Sequence, residues 1–251
     1  MSVDIKESFE KTRVAGSIAA GALDEVVKII KPGITTGEID ALCYEFINDH
    51  HAYSAPLFYR GYPKSCCTSA NHVVCHGIPS DKTLKEGDIL NIDVTAYKDG
   101  WHGDTSRMFE VGNVPVKAKK LIQTTYESMM KAIKILKENV QLGDIGFTIQ
   151  EHAEANGCSV VQDFCGHGIG KKFHDEPTIL HYGKKGTGEK IKTGMIFTIE
   201  PMINLGNYET KILNDGWTAV TKDKSLSAQF EHTVGVTKEG YEIFTQSKNF
   251  S

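Results

Sequence analysis

A long internal repeat constrains this chain more than any other feature. Lys28, Ile29, Lys31, Gly37, Ile39 and Glu45 recur 106 positions later, without a gap, as Lys134, Ile135, Lys137, Gly143, Ile145 and Glu151. A second correspondence follows at an offset of 107: Gly87 opens an apolar run ending on Asp93, and Gly194 opens one ending on Glu200. Two related halves, at about 10–112 and 116–245, are therefore expected to form one structure with internal twofold character.

Each copy reads as helix, break, helix. Val14, Ile18, Ala22, Val26, Ile29 and Ile30 recur at helical steps until Pro32-Gly33 interrupts them. Thr35 and Glu38 then have capping-box spacing, ahead of an apolar stripe made by Ile39, Leu42, Cys43, Phe46 and Ile47. In the second copy the spacing predicts helices over Leu121–Leu136 and about Asp144–Ala155. Strand-like segments follow each pair, so the class is α+β.

Asp99-Gly100 lies between two alternating runs and predicts a hairpin with a type I′ turn. Partner numbers across that hairpin sum to 199, which sets Asp93 opposite Ser106 and places Asp104 diagonally on the same face. Acids on a strand usually face solvent. Here Asp93 interrupts an interior run, Ile89-Leu90-Asn91-Ile92, and Glu200 ends an even more apolar one before Pro201. Buried like charges are costly unless a cation sits between them.

Glu231, in LSAQFEHTVGV, is read as the counterpart of Asp104 in the second half. Four carboxylates from facing strands, with a histidine, suit manganese, iron(II), cobalt or magnesium better than a thiolate zinc site. Spacing alone does not choose the histidine. His167 and His174 are seven residues apart, which puts them on opposite faces of a straight strand, so at most one is a ligand unless the chain bends. His76, in CHGIP, is the third candidate, while His50, His51, His72, His102, His152, His181 and His232 are read as packing or surface residues.

Composition narrows the partners. With 28 Lys+Arg against 32 Asp+Glu, a net charge of -4 and no basic block, nucleic acid is not the expected substrate. The charged start lacks an apolar export region and no run approaches a membrane span, so a cytoplasmic protein without membrane contact is expected. Six cysteines, none in a CxxC pair, read as reduced thiols.

NHVVCHGIP (71–79), NIDVTAYKDGWHGDTSRMF (91–109), GHGIGKKFHDEP (166–177), FTIEPM (197–202) and SAQFEHT (227–233) together closely resemble the type I methionine aminopeptidases, in the short bacterial form. The resemblance spans nearly the whole chain. It implies the pita-bread fold, a curved antiparallel sheet backed by two helix pairs about a pseudo-twofold axis. It also implies two divalent ions, drawn from cobalt, manganese and iron(II) with zinc and nickel as further candidates. Their ligands would be Asp93, Asp104, His167, Glu200 and Glu231, with Asp104 and Glu231 bridging.

By the same resemblance, a metal-bridging water attacks the scissile carbonyl, Glu200 carries its proton to the leaving amine, and His174 and His76 hold the first peptide unit. Tyr59, Tyr62, Cys67, Phe173 and Trp217 would line the methionine pocket, with His76 at its edge. The implied activity is removal of the initiator methionine from nascent polypeptides with a small second residue. The implied state is a monomer in at most transient contact with the ribosome. Cys66 would place an extra thiol beside the pocket. Two rivals remain: a proline-specific relative, which would share all five ligands but usually carries a large domain ahead of the position of His76, and a non-catalytic binding protein, which would tend to lose ligands.

Overall fold

The computed structural model describes residues 4–247. Helices α1 (Ile5–Val26) and α2 (Thr36–Asp49) precede strands β1 (Tyr53–Ser54), β2 (Cys67–Ala70), β3 (Val73–Cys75), β4 (Ile89–Lys98) and β5 (Trp101–Glu110). The second half repeats the order with α3 (Val116–Lys134) and α4 (Leu142–Ala155), followed by β6 (Ser159–Val160), β7 (Gly166–Gly168), β8 (Asp175–Ile179) and β9 (Ile196–Ile199). It continues with β10 (Met202–Asn204), β11 (Thr210–Ile212), β12 (Ala219–Thr221), β13 (Ser227–Gln229), β14 (Glu231–Val236) and β15 (Tyr241–Ile243).

Nine of these strands form one antiparallel sheet in the order β1-β4-β5-β14-β9-β7-β8, with β2 added to β4 and β15 to β14. The pseudo-twofold passes between β5 and β14, the long central strands of the two halves. Each half has its own apolar core. Ile39, Cys43 and Ile47 of α2 pack with Leu23 of α1 and Ile92 of β4, and Ile145 and Ile149 of α4 pack with Ile133 of α3 and Phe197 of β9.

The repeat is explained by the starts of the second helices. α2 and α4 are both 14 residues long. Thr35 and Glu38 form the expected capping box, Glu38 Oε2 accepting from Thr35 N at 2.8 Å. Gln141 and Asp144 do the same for α4, at 3.0 Å. The repeated glycine next to each cap marks a close backbone approach. A Cβ on Gly37 would lie 2.9 Å from Ser80 O, and one on Gly143 would lie 2.6 Å from Lys184 O. Gly143→Ala is therefore expected to destabilise the fold by about 2 kcal/mol, against the gain of up to ~1 kcal/mol that helix propensity alone would give. A thermal melt reads the sign directly: a raised Tm would contradict the packing argument.

Some boundaries differ from the sequence reading. α1 stops at Val26, where Ile29 and Ile30 turn back to donate to Val26 O at 3.0 Å each. They still pack on the core, so their apolar pattern survives the end of the helix. Val14 is 46% exposed and lies off the buried stripe. The LSAQFEHTVGV stretch is not one strand: β13 pairs β10 in a small separate sheet, and the chain enters the main sheet at Glu231.

Candidate metal centre

The β4–β5 hairpin has the expected register. Asp93 pairs with Ser106 and Thr95 with Asp104, about a turn in which Asp99 (φ 48) and Gly100 (φ 89) are both left-handed. The second half is arranged differently. β14 pairs β9 through His232 and Ile199, so continuing that register brings Glu200 beside Glu231, whereas Asp93 and Asp104 are diagonal. The Asp104–Glu231 correspondence drawn from sequence is thus two residues out of ladder register.

The central junction then sets Glu231 opposite Ser106 and His232 opposite Thr105. Asp104, Glu231 and His167 consequently converge, with one potential ligand atom from each lying within 4.8 Å of the others. His167 arrives on β7, and the bend between β7 and β8 brings His174 back beside it, ring centroids 4.2 Å apart. That bend removes the opposite-face restriction of the seven-residue spacing.

His167 Nε2 is 3.7 Å from Asp104 Oδ2 and 3.6 Å from Glu200 Oε1. These gaps are too long for hydrogen bonds, yet they match the roughly 3.4 Å edge between neighbouring ligands around an ion with ~2.1 Å bonds. Nδ1 of His167 lies 3.0 Å from Gly168 O, so a proton there leaves Nε2 as a lone-pair donor facing the acids. Burial pushes Asp93 up to about 7 and Glu200 up to about 8. Asp104 and Glu231 rise well above the carboxylate range through burial, then through the neighbouring Asp93 and Asp104 charges respectively. Buried acids that resist ionisation by themselves and face a neutral imidazole form a donor set that fits one or two divalent cations.

Several supporting groups were not singled out from sequence. Thr95 Oγ1 donates to Asp104 Oδ1, and Thr198 Oγ1 donates to Glu200 Oε1, each at 2.7 Å. Thr198 also accepts from His167 N at 3.0 Å, tying ligand strands together. Its position two residues before Glu200, on the same strand face, was the available signal. His181, read as packing, is fully buried and accepts from Glu200 N at 3.1 Å through Nε2.

Above the acids lies a cleft of about 340 Å³ whose walls include Tyr59, Tyr62, Cys67, His76, Phe173, His174 and Trp217, together with Asp93, Asp104, His167, Glu200 and Glu231. The expected metal ligands, both candidate histidines outside that set and the five expected pocket residues are therefore in one place. Tyr59 Oη is 3.0 Å from His174 Nδ1, and the Tyr62 and Trp217 rings meet edge-on at 5.2 Å. His76 is held edge-on between Phe164 and Trp217. Phe164, Cys75 and Met202 also line the cleft, unforeseen. Cys66 does not. It is fully buried, its Sγ 3.5 Å from Asp40 Oδ1, so the thiols at the cleft are Cys67, Cys75 and Cys165.

An antiparallel sheet thus sets an acid-and-imidazole cluster able to hold divalent cations at the floor of a largely apolar cleft. Residues 10–238 match the model of metallopeptidase family M24. The chain is 58% identical over 248 residues to the methionine aminopeptidase of Rickettsia prowazekii, covering 98% of this chain and 96% of the relative. It is 53% identical to that of Escherichia coli strain K12, covering 99% and 96%. The crystal structure of the Rickettsia prowazekii enzyme superposes with a TM-score of 0.96, at 57% identity, over 98% of this chain and 100% of that one. The prolidase of Pyrococcus furiosus shares the fold at a TM-score of 0.78 and 22% identity, with 97% of this chain covering only 65% of that one. The chain belongs to metallopeptidase family M24 and, within it, to the methionine aminopeptidases. Its fold is the curved pita-bread arrangement of that family. Among the described residues no helix is long and apolar enough to cross a membrane.

Proposed function

We propose that this chain removes the N-terminal methionine from polypeptides whose second residue is small. What carries the reading is the convergence of Asp104, His167 and Glu231, with Asp93 and Glu200 beside them, at the floor of a cleft walled by Tyr59, Tyr62, Phe173 and Trp217. Those five side chains would hold two divalent ions. When bound, the ions supply Lewis-acid activation of water and carbonyl and a seat for the free α-amine.

The remaining work falls to protein groups. Glu200 takes a proton from the attacking water and delivers it to the leaving amine, with Thr198 fixing one oxygen and Gln229 Nε2 3.4 Å from the other. Partial burial, with His167 beside it, holds His174 below the ordinary imidazole range, so it acts as a neutral donor. In the tautomer where Tyr59 Oη, 3.0 Å away, donates to Nδ1, the His174 proton sits on Nε2, free to stabilise the oxygen of the scissile amide. His76, also lowered by burial, is neutral beside the first peptide unit.

Cys67 and the aromatic walls suit the methionine thioether. Nascent polypeptides are the natural partners, and a monomer in the cytoplasm suffices for this chemistry. Metal-replete protein is expected to cleave Met-Ala-Ser over Met-Leu-Ser by roughly a hundredfold in kcat/KM. A difference below tenfold would remove the small-residue preference. Faster cleavage of Xaa-Pro peptides than of Met-Ala-Ser would overturn the whole reading.

A further inference from the structure

The mouth of the cleft carries a charge that this chemistry leaves unused. Of the residues lining the cleft, Arg60, Asp163 and His174 are exposed, which makes them its rim, while the acids lie at its floor. The chain has three arginines. Arg13 pairs with Glu242 at 2.6 Å and Arg107 with Asp24 at 3.0 Å, but among the described residues no carboxylate pairs with Arg60.

The backbone holds Arg60 there at a cost. Its φ of 49 and ψ of 28 are left-handed, and so is Phe58 two residues earlier, at φ 66. L-residues enter this region reluctantly, and such strain persists only where the surroundings enforce it. Here Phe58 N donates to Tyr62 O at 2.8 Å, closing a turn that sends the guanidinium over the Tyr59 ring, 5.3 Å from its centroid. Tyr59 in turn touches His174, so the cation stands on the side where His174 would meet the scissile amide.

We propose that Arg60 is a specificity-determining residue that reads substrate charge beyond the second residue, favouring polypeptides with an acidic side chain at the third to fifth position over basic ones. The inference rests on the aminopeptidase reading. With the terminal amine at the floor, an extended substrate rises ~3.3 Å per residue, so its third residue lies ~7 Å beyond the first, in the direction of the rim. The other rim charge is Asp163, which accepts from Thr210 Oγ1 at 2.6 Å and would repel an acidic chain passing on its own side. Lys172, near His174 in sequence, is engaged with Asp175 at 3.0 Å, and Lys171 lies over Trp101.

The test compares kcat/KM for Met-Ala-Asp-Ser and Met-Ala-Lys-Ser, with Met-Ala-Ser-Ser as neutral reference, in the metal-replete wild type, Arg60→Gln, Arg60→Glu and Asp163→Asn. An Asp/Lys ratio of roughly three to five is expected at low salt, falling toward one at ~1 M salt as an exposed charge contact is screened. The ratio should fall to about one or below in Arg60→Gln and invert in Arg60→Glu. Because it is a ratio, a general loss of activity does not move it. An unchanged ratio in Arg60→Gln, or one that responds only to Asp163→Asn, overturns the proposal. No cleavage of the neutral reference by wild type overturns the aminopeptidase reading instead.

Discussion

Glu200→Ala and Asp104→Asn are each expected to reduce turnover of a Met-Ala peptide to less than a few per cent of wild type in metal-replete assays. For Glu200 the loss has two sources. Its carboxylate is placed 3.6 Å from His167 Nε2, where it can serve as a ligand, and it is the acid proposed to move the proton. General acid–base groups contribute roughly 10²- to 10⁴-fold, so at least a hundredfold loss follows even if metal is retained. Glu200→Gln separates the roles: it keeps an oxygen to accept from Thr198 but cannot carry the proton.

Asp104→Asn keeps the shape and removes the charge. Asp104 is buried at 4% exposure, accepts from Thr95, and sits between Asp93 and Glu231 in the sheet. An amide there turns two hydrogens toward the His167 lone pair and the neighbouring acids, the groups that would otherwise face a cation. Elemental analysis beside the kinetics should show Glu200→Ala binding less than the wild-type complement of metal. Turnover above a few per cent in either variant, with circular dichroism unchanged, would contradict the assignment.

Much of this site was legible because its determinants are local. The Asp99-Gly100 turn fixed the pairing of Asp93 with Ser106, and with it the face shared by Asp93 and Asp104. Capping chemistry at Thr35 and the repeated glycines fixed both second helices. What was missed depends on contacts far apart in sequence. The bend after β7 brings His174 onto His167, and the two-residue shift between halves appears only when β9 pairs β14. Cys66, expected beside the pocket that Cys67 lines, turns away from it toward Asp40 of α2, a contact 26 residues away in sequence. Period-2 logic could have flagged Thr198 as a neighbour of Glu200, but its place in an apolar run concealed it.

Metal affinity is expected to rise at least about a hundredfold between pH 6 and pH 8, since each proton that the cation displaces contributes about tenfold per pH unit. Without a cation, burial holds Asp93 at about 7 and Glu200 at about 8, and Asp104 and Glu231 are raised further by the charges beside them. The folded, metal-free cluster therefore keeps protons that an unfolded chain, with carboxylates near 4, has already released. Stability of that form falls as pH rises from about 4 to about 8. Buried histidines oppose the trend: His167 and His232 are lowered to about 4, and His181 to about 3, so they add stability as pH rises toward ~6.5. Below that pH the two sets offset each other, and above it only the acids act. The metal-free protein should consequently lose Tm between pH 6.5 and 8.5 while the metal-loaded protein does not, so the gap between them widens. Calorimetric titration with Mn²⁺ in buffers of different ionisation heat counts the protons released. Equal affinity at pH 6 and pH 8, with no proton release, would mean that the four acids are already ionised without a cation.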